Sequence, residues 1–156
     1  MNAFEPTRIT WILSITGLII YIPPIYLEVL AICRPRSQKT KDLLVGKGED
    51  YKDQTHASFC HGHGWADMLV PIPFVIAGCI AVLFGRPWGY MLWFAGAAVT
   101  IYAHLILLFL EGREIYTKWG KLAFFTYAWG IWVYWSVIVM VYSLLRVQGA
   151  IFNTGI

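Results

Sequence analysis

Cys60-His61-Gly62-His63-Gly64-Trp65-Ala66-Asp67-Met68-Leu69-Val70-Pro71-Ile72-Pro73-Phe74 leads from a polar, histidine-rich run into a long apolar one, with an acid just inside. An ionisable side chain at the edge of hydrocarbon is costly without a partner. Asp67, with His63 one helical turn before it, is therefore the first place to look for chemistry. Outward from this stretch the apolar run continues to Gly85, with Pro71 and Pro73 within its first turns. Prolines there remove backbone donors and bend a helix, which suits a cavity wall better than a plain lipid-facing rod.

The rest of the chain repeats this pattern. Its 156 residues are 58% hydrophobic, 17% aromatic and only 13% charged, with a mean hydropathy of +0.60. That composition belongs to a membrane protein. Apolar runs at about 11–33, 65–85, 88–110 and 122–145 are each long enough to cross ~30 Å of hydrocarbon. The expected fold is all-α and polytopic: one domain, 1–156, built as a four-transmembrane-helix bundle with an intramembrane cavity. The first run is too long for a signal-peptide core and lacks a small-residue cleavage site, so it is expected to stay in the mature protein. Cys33, Cys60 and Cys79 imply no disulfide framework. A formal charge of +3, scattered as it is, argues against a nucleic-acid partner.

In the first run, Pro23 and Pro24 predict a bend that frees backbone carbonyls for another side chain or a ligand. Glu28 follows, either as a buried acid at that widening or as an interfacial acid reaching headgroups. The polar loop 34–60 carries Arg34, Arg36, Lys39, Lys41, Lys47 and Lys52 among four acids, with a short amphipathic helix expected around Leu43 to Val45. With Arg113, Lys118 and Lys121 of the third joint, these make up nine of the 12 cations. The positive-inside rule then places both joints in the cytoplasm and both termini outside. Gly96, Ala97 and Ala98 permit close helix contact in the third run, which also carries Tyr102, His104 and Glu111; the last two lie seven apart on one face. In the fourth, Trp129, Trp132 and Trp135 are spaced three apart and share one side, either for packing and lipid contact or as a ligand box.

His63 and Asp67, four apart, form the pairing that proton transfer needs, since a carboxylate orients an imidazole and each tunes the other. Glu28 and Glu111 are the candidates for a second carboxyl. The alternative is that Asp67 caps a helix starting beside it, with His63 an interfacial histidine. Cys60, His61, His63 and Asp67 are metal-ligand types, but their spacing does not match the usual zinc patterns, so no metal and no cofactor are expected.

Several residues also carry a resemblance. They are Trp11, Ile22-Pro23 and Glu28; Leu43-Leu44 with Asp50-Tyr51-Lys52-Asp53; His63, and Asp67 with Pro73-Phe74; Ile101-Tyr102 with Phe109-Leu110-Glu111; and Tyr127-Ala128 with Trp135. Over nearly the whole chain they resemble the emopamil-binding protein and sigma-2 receptor group, whose shared domain is called EXPERA. The resemblance implies a four- or five-helix endoplasmic-reticulum protein with a membrane cavity for sterols or cationic amphiphiles. In the isomerase branch, His63, Asp67 and Glu111 would move protons as a ring double bond shifts from Δ8 to Δ7, and Trp135 would stabilise the carbocation. In the receptor branch, Glu28 would meet a ligand amine with Asp53 in support. Tyr102, His104 and Trp132 are the further ligand-binding positions expected. Trp132 stands where the isomerase branch has an asparagine, which favours a non-catalytic binder, and the charge bias is opposite to the family's cytosolic termini. The partners expected are a sterol or other lipid and the membrane, with a homodimer or an accessory place in a larger membrane complex as open alternatives.

Overall fold

Thr7 starts the first helix with a reciprocal cap. Its hydroxyl accepts from the Thr10 N–H at 3.2 Å, and its own N–H donates to the Thr10 hydroxyl at 3.1 Å, satisfying donors that a helix start leaves open. The computed structural model describes residues 4–111 and 130–149, without the side chains of Leu110 and Glu111. Helix α1 (Arg8–Ile20) ends at Tyr21, and α2 (Ile22–Cys33) follows with Pro23 and Pro24 in its first turn. Neither proline can donate to the carbonyls of Ile19 and Ile20, so the hydrogen-bond ladder breaks there.

Ser37 caps α3 (Gln38–Leu44), and Asp53 caps α4 (Gln54–Leu69) by accepting from the His56 N–H. Val70 separates α4 from α5 (Pro71–Leu83), where Pro71 and Pro73 repeat the break of the first span. Gly85, at a φ of 65° that favours glycine, turns the chain into α6 (Pro87–Glu111), and α7 is Gly130–Val147. No strand occurs among the described residues.

Among the described residues four spans result: Arg8–Cys33, Gln54–Leu83, Pro87–Phe109 and Gly130–Val147, each long and apolar enough to cross a membrane. The all-α, four-span architecture is therefore as expected, but the second span starts eleven residues before the expected 65. The polar run from Gln54 is helical because one side of it packs on α2, burying Cys60 and Gly64. A purely apolar criterion cannot see that half of the helix. Residues 122–129 of the fourth expected helix lie outside the described residues.

Packing divides the molecule into a core and a flank. In the core α5 lies against α6, α6 against α7, and α1 against α5 and α7. Gly89 makes the first contact close: a Cβ there would stand 2.7 Å from Ala81 Cβ and 2.8 Å from the Val82 nitrogen. Val75, Cys79, Val82, Tyr90, Trp93, Ala97 and Val139 are fully buried in this core. Three polar contacts join α1 to α7: Thr10 with the Tyr142 hydroxyl at 2.7 Å, Trp135 Nε1 donating to the Leu13 carbonyl at 3.1 Å, and Trp132 Nε1 donating to the Ile20 carbonyl at 2.8 Å. The last takes the carbonyl that Pro24 cannot serve. The flank is α2 packed on α4, with α3 against α2.

Candidate functional site

Because α4 begins at Gln54, Asp67 lies in its fourth turn and Asp53 does the capping. Asp67 is thus free of the capping role that its neighbourhood allowed. The α-helical spacing puts His63 Nε2 3.6 Å from Asp67 Oδ2, within ion-pair reach but beyond good hydrogen-bond length. Phe59, one turn before, stacks on the His63 ring at 5.9 Å and 12°.

Facing them, α2 contributes Glu28, only 5% exposed. Gly64 makes the approach feasible, since a Cβ on it would sit 2.8 Å from Glu28 Oε2 and 3.2 Å from Ala31 Cβ. One hydrogen bond helps fix the register of the pair: His61 Nδ1 lies 3.0 Å from the Ala31 carbonyl. A carbonyl only accepts, so Nδ1 carries the proton. Glu28, His63 and Asp67 thereby offer three ligand atoms within 4.8 Å of one another. Glu28 Oε2 is buried there without a hydrogen-bond partner, a costly state for a carboxylate in an apolar setting.

These groups form the polar patch of an otherwise apolar cavity of about 300 Å³. Pro23, Pro24, Tyr26 and Leu27 of α2, Leu43 and Leu44 of α3, Phe59 and Cys60 of α4, His104 and Leu107 of α6, and Trp132 of α7 complete the lining. His104 is held by Nδ1 donating to the Thr100 carbonyl at 2.8 Å, and its ring lies 5.7 Å from that of Trp132. Trp132 is fixed in turn by the Ile20 carbonyl. The proline break of the first span thus sets one wall of the chamber.

Of the residues singled out by sequence, Glu28, His63, Asp67, His104 and Trp132 meet on this cavity. Trp135 is placed in the helical core, 4% exposed, edge-on to Tyr21 and Trp93. Residues three apart on a helix are separated by about 60°, which is enough to send Trp132 to the cavity and Trp135 to the core. Tyr102 is 67% exposed on the outer side of α6. Asp53 serves the end of α4, the Glu111 side chain lies outside the described residues, and so does Trp129. Sequence reasoning missed Phe59 and Gly64. The signal for Gly64 was a pair of glycines inside a helical run; only Gly64 meets a neighbour, because nothing lies within 4 Å of a Cβ on Gly62.

No family model matches the chain, and no curated protein or solved structure is significantly similar to it.

Proposed function

We propose that this integral membrane protein takes an amphipathic lipid of sterol type into the cavity and reads its polar or cationic group with Glu28, His63 and Asp67. The observation behind this reading is the convergence of those three side chains in one patch of an otherwise apolar chamber. A ligand hydroxyl or ammonium supplies the donor that Glu28 Oε2 lacks, and the rings of Trp132 and His104 offer faces for a positive charge or a flat ring system. The volume is at the lower end for small-molecule sites, so the chamber holds the head and first rings while the remainder lies among the helices. The EXPERA resemblance supports the ligand class, and an endoplasmic-reticulum location belongs to the same proposal.

Labelling with a photoreactive sterol in nanodiscs tests it. The wild-type protein should be labelled on α2, α4 or α7 peptides, with competition by a cationic amphiphile. Glu28→Gln should weaken apparent affinity by about tenfold, the scale of one charge-assisted hydrogen bond. Equal labelling of both proteins would remove the assignment.

A second reading, the Δ8-to-Δ7 shift of a ring double bond, is favoured by the 3.6 Å approach of His63 to Asp67. An acid adds a proton to one alkene carbon, the carbocation forms at the other, and a base removes a proton from the adjoining allylic carbon. Composition is unchanged. The acid and base that the geometry offers are Glu28 and Asp67, with His63 between proton transfers and Trp132 the indole on the cavity wall. Turnover of a Δ8-sterol in deuterium oxide should leave one carbon-bound deuterium in the product, and Asp67→Asn should abolish it. Wild-type protein that makes no Δ7 product leaves the binding reading alone.

A further inference from the structure

We propose that Glu28, His63 and Asp67 bind one first-row divalent cation, of the zinc, iron(II) or manganese class, inside the membrane cavity. The inference rests on the cavity being the ligand site and deepens it: the lipid's polar oxygen would complete the ion's coordination. It competes with proton transfer, because a carboxylate bound to a dication is not available as an acid or base.

Geometry is the first support. A dication with bonds of about 2.0–2.2 Å holds adjacent ligand atoms roughly 3.0–3.5 Å apart. His63 Nε2 and Asp67 Oδ2 already stand 3.6 Å apart, and the whole set lies within 4.8 Å. Spacing of four on one helix is a chelating arrangement, and a third ligand from the facing helix is how bundle proteins build metal sites.

Independent support comes from Glu28. It is 5% exposed, its Oε2 is turned into the cluster, and no described group donates to that oxygen. Gly64 clears the space in which it stands. A cation supplies what the protein does not. One imidazole with two carboxylates suits borderline first-row ions more than a soft ion such as copper(I). Three protein ligands also leave positions open toward the chamber, as catalytic and ligand-exchanging sites do.

The test uses the full chain, purified in mild detergent on a histidine-free tag, stripped with a chelator and dialysed against zinc or cobalt(II). One metal per chain should remain, and cobalt should give visible ligand-field bands. Glu28→Gln and Asp67→Asn should each weaken binding by more than about tenfold, since even loss of an outer-shell partner costs that much. His56→Gln, whose parent ring packs on Tyr51 at the start of α4 and away from the cavity lining, should keep full stoichiometry. Tryptophan emission and gel filtration verify the fold of each variant. Less than one metal per wild-type chain, or undiminished binding in both carboxamide variants, overturns the site, as does equal loss in His56→Gln. Sterol labelling of the stripped protein separates the two readings: labelling without any metal binding sinks the ion alone, and its absence in stripped and loaded protein sinks the cavity reading.

Discussion

Gly64 shows how much one missing methyl group decides. It lets a carboxyl from α2 reach the His63–Asp67 side of α4, and an added Cβ would press on both Glu28 and Ala31. Gly64→Ala should therefore destabilise the protein by about 1–3 kcal/mol through overpacking and weaken ligand binding as well, read as a lower melting temperature together with reduced sterol labelling. Gly62→Ala, with open space around it, should be neutral or mildly stabilising in the same assays. The chemistry at this site was legible in the sequence because acids and histidines inside apolar runs are expensive and rare. Its partner choice was not: nothing in the spacing of the tryptophans says that Trp132, and not Trp135, faces the chamber. That depends on where α7 docks. Trp135 meets Gly17 and the Leu13 carbonyl of α1, contacts more than a hundred residues away in the chain.

Among the helices, α4 is where local chemistry and tertiary packing divide the work. Asp53 supplies the start and α2 supplies the buried side, so a sequence reading that relied on hydrophobicity lost its first eleven residues. Removing the cap with Asp53→Ala should cost about 1 kcal/mol, visible as a lower thermal midpoint and faster amide exchange in residues 54–57, with no change in binding beyond that loss. Charged groups tie the short helix α3 to the loop after it. Lys41 Nζ lies 2.7 Å from Asp50 Oδ1 and 2.8 Å from Oδ2, and this partner holds the Asp50 carboxyl below its ordinary 3.8. The Gly48 N–H, followed by the Gln38 amide, does the same for Asp42. A depressed carboxyl favours the folded loop above its ordinary value and loses that contribution as pH falls through the lowered one. Protection of the α3 amides, relative to their intrinsic exchange rates at each pH, should therefore fall on acidification below 3.8 while the spans stay protected. Unchanged protection would mean that Leu43 and Leu44 hold α3 without these pairs.

For the molecule as a whole, four apolar spans were plain from composition, whereas the placing of the cavity between the flank and the core was not, because it follows from how α4 docks on α5 and leaves α6 and α7 to line the far wall. Orientation has a direct measurement. Cys33 is exposed at the end of α2 beside the basic loop, whereas Cys60 and Cys79 are buried. Cytoplasmic placement of that loop predicts labelling of Cys33 by an impermeant maleimide from the cytoplasmic side alone, with the other two thiols reacting only after denaturation. Labelling from the opposite side would reverse the topology. The three contacts between α1 and α7 also bear on biogenesis. The Ile20 carbonyl, deprived of a donor by Pro24, waits in the bilayer for an indole that the ribosome delivers 112 residues later. Until the fourth span docks, that carbonyl lacks a donor in apolar surroundings, so the first span is completed only by the last.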